Sequence, residues 1–162
     1  MKYRPVAIAA LVLLLLDTGM RISSAKKLTT RHLDLRNRRI HELWAKGGKY
    51  LDYVLSDRCA RVIELHIAIN GVRSAVFPQD IRTLRRWVEE VGQLAGAKIH
   101  PHKFRHTFAT TLMRITKDVK LVQQAMGHSS LQSTTQYLER SEDEIRSELD
   151  KLWTYQQSLI RR

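Results

Sequence analysis

An uninterrupted apolar segment near the start of the chain restricts the fold more than any other feature. Every residue from Val6 to Leu16 is apolar, yet the segment is too short to cross a bilayer, which takes about 20 residues. Lys2 and Arg4 precede it, as basic residues precede the apolar part of a secretory signal. Asp17-Thr18-Gly19 follows it, however, where a signal would have a cleavage site of small residues. We therefore expect a buried core helix from Arg4 to Leu16 that ends at this turn.

The rest of the chain has a mainly helical pattern with one β-hairpin. Strand-forming residues at 39–44 and 50–55 flank Ala45-Lys46-Gly47-Gly48-Lys49, whose glycines allow a tight turn. The pattern also predicts helices at 21–28, 56–69, 80–94, 102–113 and 118–126, a short one that contains Tyr137, and a last one from Ser141. The expected fold class is therefore α+β, mainly α-helical, with a small antiparallel sheet.

The net charge indicates a polyanionic partner. The 162 residues include 28 Lys and Arg against 16 Asp and Glu, a net charge of +12. Residues 1–138 carry 23 basic and 10 acidic side chains, whereas residues 139–162 carry 5 and 6. The whole excess thus precedes Glu139. We expect residues 1–138 to contact nucleic acid, the commonest polyanion, and residues 139–162 to have a different role.

Cysteine usage narrows the class of protein further. Cys59 is the single cysteine, which excludes an internal disulfide framework and a zinc site built from cysteines. The lack of paired cysteines and of an export signal indicates an intracellular protein associated with DNA, with no membrane partner.

Several cationic and proton-transferring side chains lie next to predicted turns and helix starts. His102 and Arg105 are three residues apart and share a helix face. The candidate residues are two arginines, a lysine, two histidines and a tyrosine, with no carboxylate among them. Such a set suits an anionic transition state such as that of a phosphodiester under attack, because arginine binds phosphate oxygens in pairs. The candidate site residues are Arg21, Lys46, His102, Arg105, His128 and Tyr137.

The order of these residues resembles the catalytic domain of the tyrosine recombinases, also called phage integrases. Thr18-Gly19-Met20-Arg21-Ile22-Ser23 is similar to their first arginine box, and Ala45-Lys46-Gly47-Gly48-Lys49 to their hairpin lysine. His102-Lys103-Phe104-Arg105-His106 is similar to their H-x-x-R-H box. Gly127-His128, followed nine residues later by Tyr137, is similar to the box that holds the second histidine and the nucleophile. The four boxes occur in the family's order.

The resemblance implies a site-specific DNA recombinase that cleaves and rejoins strands. Tyr137 is implied to attack the scissile phosphate and to hold the 3′ end as a phosphotyrosine. Lys46 is implied to protonate the departing 5′-oxygen, and His102 to help accept the tyrosine proton. Proton removal is needed because a tyrosine with a pKa of about 10 is a poor nucleophile.

The cationic residues are implied to bind the phosphate itself. Arg21 and Arg105 clamp its non-bridging oxygens, and His128 donates a hydrogen bond to one of them. Since side chains supply the positive charge, the resemblance implies no cofactor and no metal.

The chain departs from the family pattern at two positions. The family usually has an acidic residue three positions after the first arginine, where this chain has Ser24. Members also usually carry an N-terminal core-binding domain, which we do not expect here. We expect a catalytic domain at 1–138 and a C-terminal helical segment at 139–162. The chain is either a fragment or a naturally minimal protein, from a bacterium, an archaeon or a mobile element.

Three functions remain open at this point. The first is recombination of double-stranded DNA, with integration as one outcome, by a homo-tetramer on paired sites. The second is relaxation of supercoils by a type IB topoisomerase-like enzyme, and the third is DNA binding without turnover. The apolar residues after Glu139 either cover their own core or, as the resemblance suggests, pack on a neighbouring subunit. The near-neutral charge there suits a protein contact better than a DNA contact. Arginines at 36–39 and 82–86 are solvated or contact phosphates.

Overall fold

The computed structural model describes residues 3–45, 49–126 and 142–160. The chain divides into two compact units, residues 1–108 and residues 109–162. The described part of the first unit contains a sheet and helices, and that of the second is helical.

The apolar segment forms the buried helix that the sequence predicts. Helix α1 spans Arg4–Thr18. Gly19 ends it in the left-handed conformation, at φ +60°, where its N–H donates to the carbonyl oxygen of Leu15 over 3.1 Å. Each fully buried leucine stabilises the fold by about 1.5–3 kcal/mol. The side chains without exposed surface are Ala7, Ala10, Leu11, Leu14 and Leu15.

The remaining elements of the first unit follow the predicted order. Ser56 caps the helix that begins at Asp57 by accepting a hydrogen bond from the N–H of Cys59 over 3.1 Å, and Asp80 caps the helix that begins at Ile81 by accepting one from the N–H of Thr83 over 2.9 Å. The elements are α2 (Ile22–Lys27), a 3₁₀ turn (Thr30–His32), β1 (Leu33–Asp34), β2 (Arg39–Ala45), β3 (Lys49–Val54), α3 (Asp57–Asn70), α4 (Ile81–Leu94) and the start of α5 (Pro101–Thr116).

The three strands form one antiparallel sheet in the order β1-β2-β3. The register between β2 and β3 shifts between Ile40 and Leu43. In regular strands residues three apart face opposite sides, but here both of these side chains are fully buried. The irregularity, with Glu42 at φ +49°, is what allows both to face the core.

The core of the first unit lies between α1, α3, α4 and the inner face of the sheet. Phe77, one of its largest buried side chains, stacks on His66 with ring centroids 5.5 Å apart. The His66 Nε2 lies 2.9 Å from the carbonyl oxygen of Val76, which satisfies a polar group inside this core. Further members are Ile22, Leu28, Ile40, Leu43, Leu55, Ile63, Leu84, Trp87 and Val88.

The described part of the second unit comprises the end of α5, α6 (Val119–Ala125) and α7 (Glu142–Ile160). Leu149, Leu152 and Trp153 of α7 are buried within this single chain. The guanidinium of Arg114 lies 4.7 Å from the ring centroid of Tyr155, a cation–π contact.

The mainly helical fold with a small antiparallel sheet is therefore confirmed. The predicted short helix that contains Tyr137 lies outside the described residues, and strand β1 was not predicted. In the part of the chain that the structure describes, no helix combines the length and hydropathy that a membrane span requires.

A buried carboxyl group links the end of α1 to the start of α3. Asp17 is 1% exposed. The backbone N–H of Ser56 donates to its Oδ2 over 3.2 Å, and the Ser56 hydroxyl donates to the same oxygen. Burial raises the pKa of Asp17 from 3.8, and the two hydrogen bonds from Ser56 offset part of that rise.

We predict that Asp17→Asn changes the pH dependence of stability. Because the folded pKa of Asp17 exceeds its unfolded pKa, its contribution to the unfolding free energy is greatest below the unfolded pKa. That contribution falls as pH rises through the folded pKa. Asparagine does not titrate, so the unfolding free energy of the variant minus that of the wild type should increase from about pH 4 to about pH 7. Urea unfolding at several pH values measures this difference.

Asp80→Asn is the matched control, because the hydrogen bonds from Thr83 lower the pKa of Asp80. Its stabilising contribution is present above the unfolded pKa and is lost as pH falls through the folded pKa, so the same difference should decrease as pH rises through the acid range to about pH 4. If the free-energy differences for Asp17→Asn and Asp80→Asn changed with pH in the same direction, the opposite pKa shifts assigned to the two carboxyl groups would be contradicted.

We predict that Gly19→Ala is more destabilising than Gly71→Ala. Both glycines have positive φ, +60° and +63°, a conformation that costs an L-residue about 1–2 kcal/mol. A Cβ at Gly19 would lie 2.6 Å from Cδ1 of the buried Phe108, whereas one at Gly71 meets nothing within 4 Å. We expect the unfolding free energy to fall by about 1–2 kcal/mol for Gly71→Ala and by at least about 3 kcal/mol for Gly19→Ala. Equal losses in urea unfolding would contradict the steric argument.

Candidate active site

The end of α1 determines where Arg21 lies. After Gly19 the chain passes through Met20, which is 1% exposed, and Arg21 then caps α2 with an extended backbone, φ −72° and ψ 144°. The half-buried Arg21 is thus held between a core residue and a helix start. Its place in the fold depends on the left-handed turn at Gly19.

Arg105 is brought to the same turn by helix α5. Its Nη1 donates a 2.6 Å hydrogen bond to the carbonyl oxygen of Gly19, and the residue is only 8% exposed. Burial, followed by the nearby charge of Arg21, lowers the pKa of Arg105. An arginine pKa lies so far above neutrality that the group remains charged. The site therefore holds a fixed, buried positive charge.

His102 lies one turn before Arg105 on α5 and is exposed. With both arginines it lines a cavity of about 230 Å³. The side chains that the structure describes around this cavity include no carboxylate. The lining residues are Met20, Arg21, Ile22, Ser23, Ile81, Arg85, Pro101, His102 and Arg105.

Three guanidinium groups in one cavity make a strong site for an anion. Like charges raise each other's electrostatic energy, as the effect of Arg21 on the pKa of Arg105 indicates. An anion between the charges relieves this repulsion, and the guanidinium plane matches phosphate oxygens in pairs. The geometry therefore suits a phosphate group, with His102 available for proton transfer.

Lys46, His128 and Tyr137 lie outside the described residues. Ala45, which directly precedes Lys46, pairs with Lys49 across the β2–β3 ladder. Of the six candidate residues, the structure thus brings together Arg21, His102 and Arg105.

Arg85 lines the cavity although the sequence placed it only within a cluster of basic residues on α4. Its spacing of four from Ile81, which also lines the cavity, is the signal that could have identified it.

Tyr53 of β3 is a buried tyrosine on which the charges of the two candidate arginines act. It is 6% exposed, and Ser24 of α2 is 3% exposed. Burial raises the pKa of its phenol, and the charges of Arg105 and Arg21 offset part of the rise. The alternation of buried and exposed residues along a strand is the sequence signal that could have indicated the burial of Tyr53.

Comparison with known proteins identifies relatives of the chain. The model of the phage integrase family matches residues 1–144. Tyrosine recombinase XerS of Streptococcus mutans is 32% identical, over 88% of this chain and 44% of the relative. Tyrosine recombinase XerA of Saccharolobus solfataricus is 28% identical, over 85% of this chain and 47% of the relative.

Solved structures have a similar fold. An integrase from mycobacterium phage Brujita superposes with a TM-score of 0.75 and 25% identity, over 91% of this chain and 52% of the phage protein. A XerA recombinase gives a TM-score of 0.71 and 24% identity, over 90% of this chain and 58% of that one.

The chain spans slightly less than half the length of the curated relatives named above. The family model nevertheless covers most of this chain, including all four sequence boxes from Arg21 to Tyr137. On this match, the chain belongs to the phage integrase family.

Proposed function

We propose that this chain is the catalytic part of a site-specific DNA recombinase that cuts and rejoins double-stranded DNA through a 3′-phosphotyrosine intermediate. One observation carries the proposal: Arg21, His102 and Arg105 line a single cavity whose described lining contains no carboxylate. Two relatives whose names identify them as tyrosine recombinases support the same chemistry.

The proposed reaction exchanges one phosphoester bond for another. The Tyr137 oxygen attacks the scissile phosphorus and forms a P–O bond as the bond to the 5′-oxygen breaks. His102 helps accept the tyrosine proton, and Lys46 supplies a proton to the departing 5′-oxygen. Bond energy is conserved in the covalent link, so the reverse attack by a 5′-hydroxyl rejoins the strands without ATP.

The proposed role of the arginines is to stabilise the five-coordinate phosphorus. Negative charge gathers on its non-bridging oxygens, which Arg21 and Arg105 bind, while His128 donates to one of them. The Gly19 carbonyl supports this role because it fixes Arg105 before substrate arrives. By analogy with oxyanion-hole variants, a preorganised donor contributes about 3 kcal/mol to transition-state stabilisation.

The net charge of +12 supports DNA as the substrate. Exposed arginines on α4 extend the positive surface away from the cavity. Arg86 is paired with Glu90 over 3.7 Å, whereas Arg85 lines the cavity itself. We assign to Arg85 a contact with the DNA backbone, without base specificity.

The proposed assembly is a homo-tetramer on paired DNA sites inside the cell. The near-neutral charge of residues 139–162 suits a protein contact better than a DNA contact. Because Leu149 and Leu152 are buried in the single chain, their packing on a neighbouring subunit would require an exchange of this segment between copies.

We predict that Tyr137→Phe abolishes covalent attachment to DNA. The variant lacks the nucleophilic oxygen but keeps the ring and the cationic cavity, so its DNA affinity should stay within about twofold. Incubation with a nicked suicide substrate, followed by denaturing electrophoresis, measures the adduct.

Tyr155→Phe is the control, because its ring retains the contact with Arg114. It should form the adduct at the wild-type level. An adduct that persists in Tyr137→Phe would overturn the nucleophile assignment, and binding without an adduct in the wild type would favour a non-catalytic DNA-binding protein. Relaxation of supercoils by a monomer would favour topoisomerase activity.

We predict that Arg85→Gln weakens DNA binding in a salt-dependent way. Loss of one phosphate contact should reduce the log–log salt slope of the binding constant by about 0.9. Arg86→Gln, on the same helix turn but paired with Glu90, should change the slope much less. Fluorescence anisotropy at several salt concentrations measures both slopes, and equal changes would place the two side chains in the same role.

A further inference from the structure

We propose that the hydroxyl of Ser23 is a further phosphate-binding group and donates a hydrogen bond to a non-bridging oxygen of the scissile phosphate. This inference rests on the proposed function of the cavity that Arg21, His102 and Arg105 line. The reaction described above gives Ser23 no role, although the residue lines the same cavity.

The start of helix α2 holds Ser23 next to Arg21. Ser23 is the second residue of this helix and follows Arg21, the residue that caps it, by two positions. The N–H groups of Ser24 and Ala25 both donate to the carbonyl oxygen of Arg21, over 2.8 Å and 3.1 Å. Ala25 has no exposed surface, so the turn is anchored in the core. The backbone therefore fixes Ser23 and Arg21 relative to each other.

Ser23 shares the cavity with polar groups from three helices. Helix α2 supplies Ser23, and its cap supplies Arg21. Helix α4 supplies Arg85, and the start of α5 supplies His102 and Arg105. All five belong to the first compact unit, and the space that they help to enclose has a volume of about 230 Å³. An anion that enters this space thus meets the hydroxyl as well as the guanidinium groups.

The Ser23 hydroxyl has no hydrogen-bond partner among the residues that the structure describes. Two other hydroxyl groups that lie near the end of α1 do have one. Thr18 donates to the carbonyl oxygen of Leu14 over 2.6 Å, and Ser56 donates to the carboxylate of Asp17. Ser23 is half-buried and lines a cavity, so its unused hydroxyl is available to a ligand.

A neutral donor suits this cavity. Ser23 can add a hydrogen bond to a phosphate oxygen without adding to the repulsion between Arg21 and Arg105, because a hydroxyl carries no charge. Its single O–H rotates toward the acceptor that the paired guanidinium donors leave available. Met20 and Ile22, which are 1% and 8% exposed, form apolar parts of the lining. They limit the access of water, which strengthens a hydrogen bond to the phosphate.

The test compares Ser23→Ala with Ser23→Thr, which keeps the hydroxyl. We expect the single-turnover cleavage rate of Ser23→Ala to fall about 10- to 100-fold, as for loss of a hydrogen bond to a charged group, and that of Ser23→Thr to stay within about threefold. Ser74→Ala is the control, because Ser74 is exposed and does not line the cavity, and its rate should stay within about twofold. An unchanged rate in Ser23→Ala, or equal losses in Ser23→Ala and Ser23→Thr, would overturn the proposal.

A phosphorothioate substrate tests the contact itself. Sulfur replaces one non-bridging oxygen of the scissile phosphate and is a weaker hydrogen-bond acceptor than oxygen. For one of the two diastereomers the bond from Ser23 is then already weakened, so the rate loss caused by Ser23→Ala should shrink to about threefold or less. A merely structural effect of the variant would give the same loss on every substrate, and that outcome would overturn the contact.

Binding of inorganic phosphate supplies a readout that does not need DNA cleavage. In an NMR titration of ¹⁵N-labelled protein, with sodium chloride at equal ionic strength as the blank, the phosphate Kd of Ser23→Ala should exceed that of the wild type and of Ser74→Ala about tenfold. This result in a wild-type protein that forms no DNA adduct would contradict the proposed function and support Ser23 as a phosphate-binding residue. Equal Kd values would overturn the role of Ser23. Urea unfolding corrects for lost stability, and Ser23→Cys, whose thiol is a weak donor, takes the place of Ser23→Ala if the alanine variant fails to fold.

Discussion

The hydrogen bond from Arg105 to the Gly19 carbonyl is the contact on which the candidate site depends. It joins helix α5 to the end of the buried helix α1 over 2.6 Å, between partners that are 86 positions apart in the sequence. A charged donor makes a hydrogen bond stronger than a neutral one does, and burial increases its strength further. Gly19 ends α1 in the left-handed conformation, and its carbonyl oxygen accepts this bond.

The apolar helix α1 has two functions through this contact. Its buried leucines provide the stability that the first unit needs, and its fixed end provides a reference point for Arg21 and Arg105. The side chain of Phe108 occupies the space where a Cβ of residue 19 would lie, so the turn, the helix α5 and the guanidinium are packed as one group. Packing and site geometry cannot be altered separately here.

The sequence predicted the parts that follow from local rules and missed those that depend on pairing between distant segments. The ranges that the sequence predicts for α1, α3 and α4 agree with the structure to within two residues. The bulge that turns both Ile40 and Leu43 inward depends on how β2 meets β3, which no single segment encodes. For the same reason Tyr53 was indistinguishable from Tyr50 three positions earlier, although one is 6% exposed and the other 66%.

The electrostatics of the cavity follow from which groups orient the arginines. A backbone carbonyl holds Arg105 without cancelling its charge. Mutual repulsion between Arg21 and Arg105 therefore persists in the free protein and is relieved when an anion enters, so binding and stability are linked. The buried carboxyl of Asp17, four residues before Arg21, is bonded to Ser56, and its pKa is raised by burial. Within the first unit, the acid nearest in sequence to the candidate arginines thus takes part in joining two helices, which leaves the charge of the cavity available to a substrate.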